Sequence, residues 1–175
     1  NNGTLICSLL GGRNFKWFEE TEEKIESFIK SVDHHGVMPL LHYHLSTTDS
    51  LQNSPKSFQD IISNRRKHDV AISMMSQQFV ASLFQVLSES AIKPILLKGE
   101  GIAHTHYASP ELRVRCDTDI FIPVASITNT IIALESEGYL ISSPRSRYKS
   151  HQFTASKVMI SGLSFQVDVH WRISN

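Results

Sequence analysis

The sequence predicts an α/β (α+β) protein, with an N-terminal helical region followed by a core of short strands and helices. Three observations carry this. Apolar residues recur at helical spacing through the first half of the 175 residues. After Pro94, short apolar runs bounded by turn residues take over. With 41% hydrophobic and 19% charged residues, composition is that of an ordinary globular domain, which excludes disordered and fibrous classes.

The elements follow in order. Asn14 is placed to cap a helix over 14–32, with Phe15, Phe18, Ile25, Phe28 and Ile29 as its apolar positions. Gly36 breaks the chain, and Pro39 suits the first turn of a helix over 39–45. A polar loop over 46–55 leads into a long helix over 55–90, with a bend expected where the polar run 64–69 interrupts the apolar stripe. Ile95-Leu96-Leu97 is a strand, Lys98-Gly99 a turn, and 100–107 a short helix. A strand over 119–124, a helix over 127–137 stopped by Gly138, and a short strand over 139–141 come next. A polar loop carrying Arg145, Arg147 and Lys149 precedes a hairpin, 151–160 and 163–171, turning at Ser161-Gly162. The division expected is a helical region over 1–91 and a catalytic core over 92–175. Opening without Met and closing at Ile173-Ser174-Asn175, the chain reads as a core truncated at its C-terminus.

Charge excludes some partners. The 17 basic and 17 acidic residues cancel, so there is no global electrostatic footprint for nucleic acid or an anionic membrane. No uninterrupted apolar run approaches the roughly 20 residues of a membrane helix, so no membrane partner and a cytoplasmic location are expected. Cys7 and Cys116 lack CxxC partners and read as reduced thiols. His42 with His44, and His104 with His106, are each two apart in helices, so their side chains diverge rather than converge on zinc.

The acidic residues carry the chemistry. Asp117 and Asp119 lie two apart at the mouth of an apolar strand and so point to one face. In the segment 164–171, Phe165, Val167 and Val169 form one face, and Gln166, Asp168 and His170 the other. Carboxylates gathered on one face repel unless a cation or a proton relieves them. Asp117, Asp119 and Asp168 on adjacent strands would make a two-metal site for displacement at phosphorus, with oxygen ligands suited to Mg2+ or Mn2+. Metal-free, such a cluster is expected to lose nothing, or to gain stability, when Asp119 becomes Asn. Lys98 and Gly99, where a strand turns into a helix, present an ammonium and backbone N–H groups to a phosphate, or simply make a tight connection. Arg115 is expected to be solvated.

The combination of Ile95-Leu96-Leu97-Lys98-Gly99, Tyr107, Leu112-Arg113, Asp117-Thr118-Asp119-Ile120 and Val167-Asp168-Val169-His170-Trp171 resembles a bacterial nucleotidyltransferase family of the DNA polymerase β-like superfamily. The likeness extends upstream through His35-Gly36-Val37-Met38-Pro39 to about Asn14. It implies a mixed sheet with helices packed against it, and Asp117, Asp119 and Asp168 as the catalytic, metal-binding carboxylates. It puts Gly99 at the phosphate turn, although this chain has Gly99-Glu100 where the superfamily usually has Gly-Ser. It adds Arg113, which either pairs with a nucleotide phosphate or braces the Asp117 loop. His170 is placed to orient a carboxylate, to bind phosphate or to pack. The activity implied is transfer of a nucleoside monophosphate from an NTP to an unidentified hydroxyl acceptor. A small molecule or a protein is favoured over nucleic acid as that acceptor. The alternative is a non-catalytic nucleotide-binding or protein-interaction module that keeps the fold.

Overall fold

The computed structural model describes residues 2–11, 21–115, 117–142, 151–160 and 162–172. The proposed cap at Asn14, the apolar positions Phe15 and Phe18, Cys116, Ser161 and the basic loop residues Arg145, Arg147 and Lys149 lie outside them. The described elements are helices α1 (Asn2–Leu10), α2 (Glu22–His34), α3 (Met38–Thr47), α4 (Lys56–Glu89), α5 (Lys98–His106) and α6 (Ile127–Ser136). The strands are β1 (Ile95–Leu97), β2 (Thr118–Phe121), β3 (Leu140–Ser142), β4 (Gln152–Val158) and β5 (Ser164–His170). The fold is mixed α+β, as expected.

The chain forms two compact units, residues 1–73 with 107–114, and 74–106 with 115–175. The first is helical. Thr21 caps α2 by accepting the Lys24 N–H at 3.4 Å, and Glu22 and Glu23 complement the dipole of the first turn. Gly36, at φ 64, supplies the left-handed turn that ends this helix. Pro39 then sits in the first turn of α3. The core joins Ile6 and Leu9 to Phe28, Val32, Leu41, Leu45, Phe58 and Ile62. Full burial of each Leu, Ile or Phe is worth roughly 1.5–3 kcal/mol.

Ion pairs occupy the polar run of α4, which remains helical throughout. Arg65 lies 3.3 Å from Asp33 and 3.5 Å from Asp69, and Arg66 lies 3.1 Å from Glu111. These charges have partners without any break in the helix. Averaged over a window, α4 is also long and apolar enough to cross a membrane by length and composition alone, a weak test that core helices also pass.

Glu111 offers a pH test within the helical unit. The Ser109 hydroxyl donates to its carboxylate, burial opposes ionisation, and Arg66 adds a further favourable contact; the net effect holds Glu111 below the ordinary carboxylate range. A depressed carboxylate stabilises the fold above its unfolded-state pKa, and that contribution is lost as pH falls through the folded value. Glu111→Gln should therefore cost on the order of 1 kcal/mol at pH 7, and the deficit should vanish below the depressed value. Urea titrations at pH 7 and at successively lower pH check this; a deficit that does not shrink as pH falls would assign the loss to shape rather than charge.

The second unit is built on a five-stranded sheet of order β1-β2-β5-β4-β3. β2 and β5 are parallel, and the other neighbours are antiparallel. Alternation divides its faces. Ile120, Phe153, Ala155, Val167 and Val169 point into a core shared with Phe79, Leu83 and Leu87 of α4 and Leu134 of α6. Tyr139 joins this core, where burial, aided by the charge of Glu137, pushes its phenol up to about 12. β2 ends at Phe121, earlier than expected, and Pro123, which has no N–H for a ladder, opens a 3-10 turn over Val124–Ser126. Gly162, at φ 81, lies in the connection between β4 and β5, as the hairpin signal predicts. The opposite sheet face holds Asp119 of β2, Gln152, Thr154 and Ser156 of β4, and Gln166, Asp168 and His170 of β5.

Candidate active site

Strand register assembles the site. Asp119 of β2 is the parallel partner of Asp168 on β5. Thr154 and Gln152 of β4 are the antiparallel partners of Asp168 and His170. The apolar alternation buries Val167 and Val169 on one side, so Asp168 and His170 emerge together on the other.

Asp119 is only 4% exposed, and its charge is met by two nitrogen groups. Lys98 Nζ donates to Asp119 Oδ1 at 2.5 Å. His170 Nε2 lies 2.8 Å from the same oxygen, and because an ionised carboxylate only accepts, this nitrogen carries the donated proton. Asp168 is half-buried; the Thr154 hydroxyl donates to its Oδ1 at 2.5 Å, and Gln152 Nε2 stands 3.5 Å from its Oδ2. The hydrogen bond to Asp119 is the largest of the effects that raise the Lys98 pKa, outweighing desolvation; the charges of Asp119, Asp168 and Asp117 add to it.

Lys98 reaches this position through an unfavourable backbone. It follows β1 directly and opens α5 at φ 47, the left-handed region that costs a side-chain-bearing residue roughly 1–2 kcal/mol. Gly99 follows in the first turn of α5. Gly101 has a packing reason: a Cβ there would come within 3.2 Å of the Leu96 carbonyl oxygen, so a side chain would require α5 or β1 to shift by a few tenths of an ångström.

Of the residues named from sequence, Lys98, Asp119, Asp168 and His170 come together. Asp117 is exposed just ahead of β2, within electrostatic reach of Lys98. Arg113 is not part of this cluster. It belongs to the helical unit, following a 3-10 turn over Pro110–Leu112, and its Nε is buried without a hydrogen-bond partner among the described residues. Arg115 departs from expectation. Its side chain is 6% exposed, and its Nε lies 2.7 Å from Oε2 of the fully buried Glu100, at ion-pair distance though outside hydrogen-bond alignment. Sequence reasoning misses Thr154, Gln152, Glu100 and Arg115 as site residues. Only the alternation of Gln152, Thr154 and Ser156 with Phe153 and Ala155 gives any signal for the β4 pair.

The donor set fits a divalent cation. One ligand atom each from Asp119, Asp168 and His170 lies within 4.8 Å of the others, close enough to converge on one ion. Lys98 already holds a positive charge against the same carboxylate.

A mixed sheet with acidic residues on paired parallel strands, entered by a strand–turn–helix, defines a nucleotidyltransferase-like core. The family described as an uncharacterised nucleotidyltransferase matches residues 21–175, and the chain belongs to that family. Membership supports a transferase that uses an NTP. Among curated proteins, none matches the chain.

Proposed function

We propose that the chain transfers a nucleoside monophosphate from an NTP to a hydroxyl acceptor in the cytoplasm, using Asp117, Asp119 and Asp168 as catalytic carboxylates. The observation that carries this is the parallel pairing of Asp119 with Asp168 beside Lys98 at a strand–glycine–helix turn. The three carboxylates would hold two Mg2+ or Mn2+ ions. Bound there, such ions activate the acceptor hydroxyl and neutralise charge on the triphosphate and its pyrophosphate leaving group. Asp168 keeps its orientation through Thr154, and Asp119 through His170. Lys98 is long and 62% exposed at its side chain, so it can exchange Asp119 for a phosphate oxygen without deep desolvation. Gly99 lets the backbone approach that phosphate. No covalent enzyme intermediate is needed.

Glu100 does not count against this reading. Its carboxylate is buried against Arg115 and His104, at 2.7 and 3.2 Å, so it is not a bare charge facing a triphosphate. We assign the chemistry to the core over 92–175, and the acceptor to a small molecule or a protein rather than nucleic acid. The test is a panel of labelled NTPs with Mg2+ or Mn2+ and candidate acceptors, scored for pyrophosphate and for transferred label. Release of pyrophosphate that requires metal and Asp168 supports the transferase. Stoichiometric NTP binding with no turnover across the acceptors would favour the non-catalytic module instead.

A further inference from the structure

The proposed chemistry leaves one buried charge unused. Glu100 is fully excluded from solvent in the first turn of α5, two residues after Lys98. A carboxylate out of water is unfavourable unless it is paired. Its partner is Arg115, 6% exposed and two residues before Asp117, with His104 at 3.2 Å on the other carboxylate oxygen. The two charges therefore join the phosphate turn at Lys98-Gly99 to the chain segment that delivers Asp117 and Asp119. Lys98 and Asp119 join the same two segments directly, but Lys98 is exposed and is the group a nucleotide would draw away. The link that persists when Lys98 moves is the buried one.

We propose that the Glu100–Arg115 pair is a positioning device that fixes the phosphate turn relative to the Asp117–Asp119 segment, so that Lys98 can leave Asp119 without the site spreading. It rests on the nucleotidyltransferase reading for its purpose, but its geometry can be tested without a nucleotide. Glu100 and Arg115 are positioning residues, since neither is placed to touch the reacting atoms. A plain structural anchor would stabilise the unit equally everywhere. A positioning link should matter at these two segments and hardly at the β4–β5 hairpin.

Glu100→Gln strands a buried guanidinium and can unfold the unit, so the main test is the double variant Glu100→Met with Arg115→Met. Replacing a buried pair by apolar side chains of similar size commonly preserves stability. Two readouts on the full chain separate the possibilities. Amide exchange should speed by about tenfold or more at residues 98–101 and 117–119, with the hairpin unchanged. Affinity for a non-hydrolysable NTP with Mg2+ should fall by about tenfold or more, as small misplacements of binding groups do. Arg115→Lys, which keeps the charge, should stay close to wild type in both, and the double variant Glu100→Gln with Arg115→Met carries the same readouts if the first double variant does not fold. A folded double variant with wild-type exchange in both segments overturns the proposal even if the wild type binds NTP normally. Faster exchange confined to these segments, in a protein that binds no NTP, upholds the link and rejects the nucleotide reading.

Discussion

Asp119→Asn is expected to lower nucleotidyl transfer by at least about 100-fold, the scale seen when a group aimed at developing charge is removed. The reason is the crowding of roles on one carboxylate. Asp119 faces Asp168 across the parallel strands, and a single oxygen receives both Lys98 and His170. An amide keeps the shape but removes the charge that a cation needs, and it turns half of the group into a donor. The sequence argument expects the metal-free protein to be unharmed by this change, because clustered carboxylates repel. The structure alters that part. Lys98 serves as an internal cation, so the amide variant would lose an attraction as well as a repulsion. Since Lys98 is 62% exposed, solvent screens the pair and the cost should stay within about 1 kcal/mol. Pyrophosphate release and a urea titration on the same sample measure the two effects. Transfer within a few-fold of wild type would remove Asp119 from the chemistry, and a stability loss of several kcal/mol would make it a structural ion pair.

Lys98→Ala should weaken binding of a non-hydrolysable NTP with Mg2+ by about 1–3 kcal/mol, the range for a charge-assisted hydrogen bond. Binding of metal alone should hold or tighten, because Asp119 loses a competitor. Lys98→Arg need not rescue the loss, since a flat guanidinium does not replace a compact ammonium. The backbone supplies an independent check. Position 98 is left-handed at φ 47, so Lys98→Gly relieves strain that Lys98→Ala retains. The glycine variant should be the more stable of the two by about 1 kcal/mol, with the same loss of nucleotide affinity. Isothermal titration and thermal melts together read this pattern. Unchanged nucleotide affinity in a folded Lys98→Ala protein would reduce Lys98 to a partner for Asp119.

What is legible in the sequence is governed by short-range periodicity. Phe165, Val167 and Val169 alternate so regularly with Gln166, Asp168 and His170 that the faces of β5 follow from the residues alone, and Val167 and Val169 are buried as that phase requires. The strand ending at Leu97 and the helix stop at Gly138 are legible for the same local reason, whereas the turn expected at Lys98-Gly99 is instead the first turn of α5. Register between strands distant in sequence is not. Nothing near Thr154 says that it will sit opposite Asp168, because that depends on how the hairpin closes and not on its own neighbours. Arg115 reads as solvated because its partner lies 15 residues upstream in a helix, and a buried ion pair leaves no periodic trace. The ion-pair partners of the polar run of α4, Asp33 and Glu111, also come from distant segments, so these pairs leave no local trace either.

The central claim is that Asp119 and Asp168 form a divalent-metal site that serves a nucleotide. Manganese located by anomalous scattering, in crystals of the chain grown with a non-hydrolysable NTP, tests it most directly. The account predicts a peak bound by both carboxylates and by the triphosphate, with Lys98 withdrawn from Asp119 towards phosphate, and no such peak in Asp168→Asn. An ordered nucleotide bound elsewhere, or manganese that ignores these two carboxylates, would contradict it.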